Sequence, residues 1–255
     1  MTSPWLPQLR SAETAARQAG ELLRRHFADE KLVDERLAHD LKLRLDKECQ
    51  QLIYETLHRD WPDYAFLGEE GGERGDIEWI VDPLDGTVNY FYGLPLFCVS
   101  IALRVHGVVE LGCVYAPMLD ELFCALRGGQ ALLNGRPIHV SAREKMAQAV
   151  VFAGHGSHDG SGEAGIRRFA YISSRVCKMR ILGTAALSLC YIAAGRMDAY
   201  IEQSTHLWDF AAAQAILEAA GGALEFSPTS EDGLTGALLA WNGKLPLHET
   251  LANCP

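Results

Sequence analysis

Two aspartates stand three residues apart at the end of an apolar run, and their surroundings favour chemistry. Residues 79–90 read W-I-V-D-P-L-D-G-T-V-N-Y, so Asp82 and Asp85 precede Gly86 and Thr87. Carboxylates this close repel each other, share a proton or bind a cation, and a divalent metal relieves the repulsion best. The Gly-Thr step offers backbone N–H groups that bind phosphate where a helix or turn begins. The run therefore predicts metal-assisted chemistry on a phosphoester.

Two further segments place carboxylates beside apolar elements. Residues 66–71 read F-L-G-E-E-G and contain Glu69 and Glu70, and residues 207–222 read L-W-D-F-A-A-A-Q-A-I-L-E-A-A-G-G and contain Asp209. Together with D-P-L-D-G-T-V-N, these segments resemble three signatures of the inositol monophosphatase family and occur in the same order along the chain. Members of this family are metal-dependent phosphomonoesterases. A lone D-x-x-D would be a weak signal, whereas three matches in order are specific.

The resemblance implies a site for two or three Mg²⁺ ions, with Mn²⁺ as an alternative. Mg²⁺ takes hard oxygen ligands and retains several waters, so a few carboxylates suffice. By the resemblance, one ion would be held by Glu69, Asp82 and the carbonyl of Leu84. A second would be held by Asp82, Asp85 and Asp209, and Glu70 would support the site or a third ion.

The resemblance also implies that a threonine and an aspartate hold the nucleophilic water. Thr87 matches the threonine, and Asp46 is the candidate aspartate, so we predict a catalytic group of Asp46, Thr87 and Glu69. Family members often read D-x-V-T-x-x-D where this chain reads D-L-K-L-R-L-D over residues 40–46. This chain has Leu43 and Leu45 in place of the usual small hydroxyl residues, which leaves the third metal open.

Substrate residues are implied in both halves of the chain. Phosphate would bind the N–H groups of Gly86 and Thr87. A ring of hydroxyls would contact Ala185 and Glu202, the latter seven residues before Asp209. A carboxylate gains charge-assisted hydrogen bonds from a polyol and repels a second phosphate, so the pattern favours a monophosphorylated polyol. The substrate-binding set we predict is Gly86, Thr87, Asp85, Ala185, Glu202 and Asp209.

Each of these residues also fits an ordinary structural role when taken singly. Glu69 and Glu70 fit a solvated loop, Glu202 fits an exposed strand end, and Asp46 and Asp209 fit helix N-caps. The function predicted is Mg²⁺-dependent hydrolysis of inositol monophosphate or a similar polyol phosphate. Alternatives are histidinol phosphate, fructose 1,6-bisphosphate or adenosine 3′,5′-bisphosphate as substrate, or a regulatory scaffold without catalysis.

Hydrophobic periodicity predicts the elements that position these residues. Helices are predicted over residues 6–27, 46–57, 166–174, 184–194 and 209–220. Strands are predicted over 78–82, 98–105, 108–116, 121–125, 150–153, 179–182 and 198–201, tight turns at His106-Gly107 and Asn134-Gly135, and a loop over 154–165. The mixture predicts an α+β fold. The resemblance implies a layered α/β/α/β/α sandwich of the inositol monophosphatase and fructose-1,6-bisphosphatase type.

The length of 255 residues fits one large domain or two joined halves. We predict an N-terminal α+β half over 1–149 with most metal ligands, and a C-terminal α/β half over 150–255 with Asp209 and the substrate residues. The net charge of −10 disfavours direct nucleic-acid binding and also serves solubility. Seven cysteines without a C-x-x-C pair predict buried free thiols in a reducing compartment.

No signal-peptide pattern is present and no window approaches the ~18 apolar residues of a membrane span, so we predict a cytoplasmic enzyme without a membrane partner. The resemblance implies a homodimer. The apolar segments 94–97 and 187–192 fit either its interface or the core.

Overall fold

The computed structural model describes residues 3–36, 41–154 and 162–254. All five helices predicted from periodicity are confirmed, although three of them begin earlier than expected. Residues 155–161 of the predicted loop lie outside the described residues. Within the described ranges the helices are α1 (Leu6–Arg25), α2 (Arg44–Asp60), α3 (Thr87–Phe91), α4 (Gly162–Ser173), α5 (Ala185–Ala193), α6 (Leu207–Ala219) and α7 (Leu247–Ala252).

The strands form three sheets. The first half contains β1 (Val33–Arg36), β2 (Leu41–Leu43), β3 (Ala65–Gly68), β4 (Gly71–Gly72), β5 (Ile77–Asp85), β6 (Cys98–Val105), β7 (Val108–Ala116), β8 (Glu121–Leu126), β9 (Leu132–Leu133) and β10 (Arg136–Pro137). The second half contains β11 (Val150–Ala153), β12 (Lys178–Arg180), β13 (Ala199–His206), β14 (Ala223–Pro228) and β15 (Thr235–Trp241). An eight-stranded sheet has the order β10-β9-β8-β7-β6-β5-β3-β4, a five-stranded sheet has the order β12-β11-β13-β15-β14, and β1 pairs with β2.

Both predicted tight turns are confirmed. His106 and Gly107 join the antiparallel strands β6 and β7 with φ angles of 48° and 82°. Asn134 and Gly135 join β9 and β10 with φ angles of 48° and 75°. Positive φ at both central residues matches the twist of the flanking strands, which is why Gly and Asn occur here.

The helices and sheets stack in five layers, which confirms the α/β/α/β/α fold. Helices α1 and α2 bury their apolar faces against one side of the large sheet, around Leu23, Ile53 and Trp79. Helices α5 and α6 are apolar on nearly all sides because they pack between the two sheets. Helices α4 and α7 cover the outer face of the small sheet through Ile172 and Leu247.

Close contact between α6 and the large sheet depends on Gly112 of β7. A Cβ atom at this position would lie 1.9 Å from the carbonyl oxygen of Ala212, a backbone atom that cannot move aside. Glycine therefore lets the helix backbone rest on the strand. Asp209 lies in the first turn of α6, so this contact also sets how close Asp209 lies to the large sheet.

Several elements extend beyond their predicted limits, and others were missed. Strand β5 continues to Asp85, β13 continues to His206, and α6 begins at Leu207. Glu202 consequently lies inside a strand, and its expected position at a strand end was wrong. Strands β14 and β15 and helix α7 were not predicted.

The cysteines are free thiols, as predicted, and five of the seven are buried, while Cys177 is exposed and Cys254 is half-buried.

The proposed boundary near residue 149 falls between the two sheets, but α5 and α6 pack on both, so the division into halves stays a prediction. In the described part of the chain, no helix combines the length and the apolar character that crossing a membrane requires.

Candidate active site

The central strand β5 ends in the two aspartates. Its register against β6 shifts between Asp82 and Asp85, so three residues of β5 span two of β6. A regular strand would place these side chains on opposite faces, whereas such a bulge re-aims one of them. Pro83, which cannot donate a ladder hydrogen bond, lies in the bulge. Both carboxylates are buried, with 3% and 7% of their surfaces exposed.

Glu69 reaches the same edge of the sheet from a neighbouring strand. Strand β3 runs parallel to β5, with Gly68 opposite Val81, and the Glu69 N–H donates to the Val81 carbonyl at 3.1 Å. Parallel neighbours end at the same edge, so Glu69 follows its strand directly beside Asp82.

Asp82 is the electrostatic centre of the site. Burial raises its pKa well above the usual range, and the charges of Glu69, Asp85 and Asp209 raise the pKa further. The Leu84 N–H opposes this shift by donating to Asp82 Oδ1 at 2.9 Å. The structure therefore brings together four of the predicted metal-binding carboxylates, from β5, the end of β3 and the start of α6.

Asp46 and Asp209 occupy the same position in two helices. Each is the third helical residue, and its Oδ2 accepts a 2.8 Å hydrogen bond from the N–H of the residue before the helix, Leu43 or His206. The alternative that they are N-caps was wrong. Asp209 Oδ2 also accepts from Thr205 Oγ1 at 2.9 Å. In a capping box, the side chain of the third helical residue accepts from the backbone N–H of the residue before the helix. Asp46 and Asp209 both make this bond, which fixes the orientation of their carboxylates.

Asp46 is placed less directly than the other acidic residues. Its side chain is 2% exposed, and α2 packs against β5. It is not among the principal charges that act on Asp82. Its role in holding water consequently stays a prediction.

Asp85 receives hydrogen bonds from the first turn of α5, in the other half of the chain. Its Oδ1 accepts from the Ala185 N–H at 3.2 Å, and its Oδ2 accepts from the Ala186 N–H at 2.8 Å and from the Thr184 hydroxyl. The Cys98 thiol lies 3.5 Å from Oδ2. Burial raises the pKa of Asp85 to about 7, while the Thr184 hydrogen bond moderates the rise.

The contact at Ala185 differs from the expected one. Its backbone was predicted to contact the substrate ring, and in the structure its N–H donates to Asp85. Sequence reasoning also missed Thr184, whose hydroxyl accepts from the Leu187 N–H at 3.4 Å and so caps α5. A threonine directly before an apolar helical run is an N-cap signal that could have identified it.

The segment after Asp85 turns sharply into α3. Gly86 has a φ of 99°, and a Cβ there would lie 3.0 Å from the Leu96 carbonyl and 3.3 Å from the Gly183 carbonyl. Only glycine suits both the conformation and the space. The buried Thr87 hydroxyl donates to the Leu84 carbonyl at 3.0 Å, so this side chain is fixed against one of the predicted metal ligands.

Glu202 lies on β13, where neighbouring groups hold its carboxylate in place. Its Oε2 accepts from the Tyr200 hydroxyl at 3.1 Å and its Oε1 accepts from the Gln203 N–H at 3.0 Å. A Cβ on Gly154 would lie 1.2 Å from Oε2, so the carboxylate occupies space that glycine leaves. Glu202 is 8% exposed, and the alternative of an exposed glutamate was wrong.

Tyr200 lies between Glu202 and the predicted metal-binding carboxylates in electrostatic terms, because its pKa responds to both. Burial raises its pKa well above the usual range, and the charges of Glu202, Asp85 and Asp209 raise it further. The tyrosine thus stays protonated and donates to Glu202. Sequence reasoning missed this residue, although Tyr200 and Glu202 stand two apart in a strand and so share a face.

The donor set suits a hard divalent cation. Among the residues that the structure describes, no three acidic, histidine or cysteine side chains are already spaced to enclose an ion. Asp85, for example, directs both oxygens toward α5. Burial nevertheless raises the pKa of Asp82, and the negative charges of Glu69, Asp85 and Asp209 raise it further, so a cation at this point would relieve their repulsion. Mg²⁺ keeps several of its waters, so the ligands need not all touch it, and the residues fit.

Comparison with known proteins agrees with this geometry. The profile of the inositol monophosphatase family matches residues 5–252. An inositol monophosphatase from Mesembryanthemum crystallinum is 37% identical over 88% of this chain and 86% of that protein. The Nus factor SuhB of Pseudomonas aeruginosa is 36% identical over 93% of this chain and 92% of that protein. The extragenic suppressor protein SuhB from Bartonella henselae has a crystal structure that superposes with a TM-score of 0.87 at 32% identity, covering 96% of each chain. The chain therefore belongs to the inositol monophosphatase family of phosphatases.

Proposed function

We propose that this protein hydrolyses a phosphate monoester with two or three Mg²⁺ ions, or Mn²⁺ in their place, and that inositol monophosphate or a similar polyol phosphate is the substrate. The observation that carries the proposal is the acidic group in which the buried Asp82 and Asp85 lie close to the half-buried Glu69 and Asp209. Four carboxylates around one buried point cost stability unless a cation offsets their repulsion, so function rather than folding explains the group.

We assign the ion-holding residues from this group. Glu69, Asp82 and the Leu84 carbonyl would hold one ion, and Asp82, Asp85 and Asp209 a second. When bound, Mg²⁺ lowers the pKa of water and neutralises charge on the phosphoryl group. The chain itself contributes rigid orientation, since Asp209 is fixed by Thr205 and Asp82 by the Leu84 N–H.

Thr87 and Asp46 would orient the attacking water together with Glu69. The Thr87 hydroxyl donates its proton to the Leu84 carbonyl, which leaves its oxygen lone pairs to accept a hydrogen bond from water. Gly86 and Thr87 begin α3, and their backbone N–H groups would bind a phosphate oxygen. These residues would hold water and phosphate on the same side of Asp82.

The second half would recognise the rest of the substrate. Glu202 is buried and preorganised by Tyr200, and as a carboxylate it accepts strong hydrogen bonds from adjacent hydroxyls. Ala185, Asp85 and Asp209 would complete this contact. A second phosphate would meet negative charge here, which disfavours a bisphosphate.

A second candidate function follows from the similarity to relatives named Nus factor SuhB. A regulatory scaffold role would use the same fold without requiring hydrolysis. The intact acidic group favours catalysis, and the net charge of −10 disfavours direct contact with nucleic acid.

We further propose a homodimer in the cytoplasm. The free buried thiols favour a reducing compartment. Tyr92, Leu94 and Ile181 are 70%, 52% and 58% exposed. Asn89 Nδ2 brings their segments together by donating to the Leu96 and Leu182 carbonyls at 2.7 and 2.6 Å. This exposed apolar surface suits a second copy, whereas the alternative segment 187–192 is mostly core.

One substrate panel tests the proposal. Phosphate release would be measured from inositol 1-phosphate, histidinol phosphate, fructose 1,6-bisphosphate and adenosine 3′,5′-bisphosphate, each with Mg²⁺ and with EDTA. We expect Mg²⁺-dependent release with a preference for inositol 1-phosphate. A preference for another compound would refute the assignment of Glu202, and no metal-dependent release from any of them would favour the scaffold role.

A further inference from the structure

Gln50 contacts the loop that follows Glu69, although it belongs to a different element. We name residues 68–71, between the last residue of β3 and the first of β4, the acidic loop. Gln50 Oε1 accepts a hydrogen bond from the Glu70 N–H at 3.0 Å, and Gln50 Nε2 donates to the Gly71 carbonyl at 3.4 Å. One side-chain amide thus satisfies a donor and an acceptor of the loop backbone.

The contact is built into the packing as well as the hydrogen bonds. A Cβ on Gly68 would lie 2.1 Å from Gln50 Oε1, so the amide lies directly on the loop backbone. Helix α2 makes this approach possible because it packs against β5, the neighbour of β3. The absence of a side chain at position 68 leaves the required space.

Gln50 also stands one helical turn after Asp46. Residues four apart lie on the same face of a helix, so Asp46 and Gln50 point to the same side of α2. Asp46 is oriented at the start of the helix by the Leu43 N–H. The same helix face therefore carries the oriented Asp46 carboxylate and the Gln50 amide that contacts the acidic loop.

We propose that Gln50 is a positioning residue that fixes the acidic loop against α2, and so sets Glu69 relative to Asp46 and Asp82 for cation binding. This inference rests on the proposed function. Two hydrogen bonds then restrain the backbone around Glu69. The Glu69 N–H donates to the Val81 carbonyl, and the Glu70 N–H donates to Gln50 Oε1. Removing the second restraint frees the loop to turn Glu69 away from Asp82.

The chain offers a matched control in the next residue. Gln51 is exposed, and its Nε2 donates at 2.8 Å to Glu55 Oε1 on its own helix. Gln51→Ala therefore removes a glutamine amide from α2 without touching the acidic loop. Gln50→Glu supplies a graded test, because it keeps the acceptor of the shorter bond and loses only the longer one.

Three measurements separate positioning from a general structural effect. Calorimetric titration would give the Mg²⁺ dissociation constant. Hydrogen exchange with mass spectrometry would follow the peptide 66–73 in metal-free protein. Kinetics on inositol 1-phosphate would give kcat and KM. We expect Gln50→Ala to weaken Mg²⁺ binding about tenfold, as is typical of residues behind a metal ligand. It should speed exchange of the loop and lower kcat more than it raises KM. Gln50→Glu should recover Mg²⁺ binding to within about threefold, and Gln51→Ala should match the wild type.

Equal Mg²⁺ binding by Gln50→Ala and Gln51→Ala would overturn the inference, as would faster loop exchange without any change in Mg²⁺ affinity. A wild-type protein that binds no Mg²⁺ and releases no phosphate would instead refute the proposed function. If Gln50→Ala does not fold, Gly68→Ala tests the same contact, because its methyl group displaces the flexible end of Gln50. Wild-type Mg²⁺ affinity in Gly68→Ala would then refute the positioning role.

Discussion

Asp85 at the end of β5 accepts a 2.8 Å hydrogen bond from the N–H of Ala186 in the first turn of α5. The two residues lie 101 positions apart in the chain. The start of a helix favours negative charge, so the carboxylate and the helix stabilise each other although both are buried. One proposed metal ligand thus also fixes a helix of the second half at the edge of the first sheet.

Asp85 has two kinds of partner in the proposed function, the start of α5 and a cation. In the structure its oxygens accept from Thr184, Ala185 and Ala186. Oδ2 already accepts from Thr184 and Ala186, whereas Oδ1 accepts from Ala185 and has a second lone pair that a cation can use without breaking that contact. The helix start holds the carboxylate in one orientation, which lowers the entropy that binding would otherwise cost.

Replacing Asp85 by Asn should separate catalysis from folding. The amide keeps an acceptor for α5 and creates no cavity, but it is a much poorer ligand for Mg²⁺ than a carboxylate. We expect kcat/KM to fall by at least about 100-fold, since even residues behind a ligand contribute ~10–100-fold. The melting temperature of metal-free protein should stay near that of the wild type, because removing a buried charge offsets the weaker hydrogen bonding to α5. Turnover at saturating Mg²⁺ that matches the wild type would refute the assignment.

Metal should stabilise the protein more at high pH than at low pH. Burial, together with Glu69, Asp85 and Asp209, raises the pKa of Asp82, and burial raises that of Asp85 to about 7. A carboxyl whose pKa is higher in the folded state favours folding most below its unfolded pKa of ~3.9, and this contribution is lost as the pH rises through its folded pKa. Metal-free protein therefore loses stability between about pH 4 and the folded pKa values, and Mg²⁺ restores it.

Thermal unfolding at pH 6 and pH 8, with EDTA and with Mg²⁺, checks this expectation. The rise in melting temperature on adding Mg²⁺ should be larger at pH 8, and it should shrink in Asp85→Asn. Other carboxyl groups titrate in both states, so the difference between the wild type and this variant isolates the site. An identical rise at both pH values would contradict the electrostatic account of the acidic group.

The motifs predicted which carboxylates belong to the site because their side-chain chemistry and spacing are local properties. Partners across the fold were not predictable in the same way. Thr184 reaches Asp85 across 99 positions, and nothing in the local pattern of either residue specifies the other. Gln50 is similar, because its partners are two backbone groups about 20 positions away. Backbone groups have no signature in the sequence.

The missed strands have a different explanation. Strand β15 reads T-G-A-L-L-A-W, in which buried and half-buried residues alternate but small residues weaken the hydrophobic contrast. Strand β14 has only half-buried and exposed residues, as expected at a sheet edge. The early start of α6 was missed because Leu207 and Trp208 precede the apolar alanine run and resemble a strand end.

Introducing a charge on the exposed apolar surface should dissociate the proposed homodimer. Leu94 is 52% exposed, and an aspartate there would be buried without a partner if a second copy covers it. We expect Leu94→Asp to run as a monomer in light scattering. Leu119→Asp is the control, since Leu119 is 41% exposed in the turn between β7 and β8. A dimer that survives Leu94→Asp would exclude this surface as the interface.

Glu202→Gln should weaken binding of the polyol and spare the phosphate. A hydrogen bond to a charged acceptor contributes about 1 kcal/mol more than one to a neutral amide, which corresponds to roughly fivefold in affinity. We expect KM for inositol 1-phosphate to rise about five- to tenfold, with KM for an aryl phosphate nearly unchanged. Because an aryl phosphate presents no ring hydroxyls, equal effects on the two substrates would eliminate a recognition role for Glu202.

Gly154→Ala should reproduce the effect of Glu202→Gln without altering any charged residue. The added methyl group would lie 1.2 Å from Glu202 Oε2, so the carboxylate must leave the position that the Tyr200 hydroxyl stabilises. We expect a selective increase in KM for inositol 1-phosphate of about the size seen for Glu202→Gln. Gly165→Ala is the matched control, because the nearest atom to its new Cβ is Gln203 Oε1 at 3.9 Å. The double variant should be no worse than either single one, since both remove the same contact. Additive effects would mean that Gly154 acts on the substrate independently of Glu202.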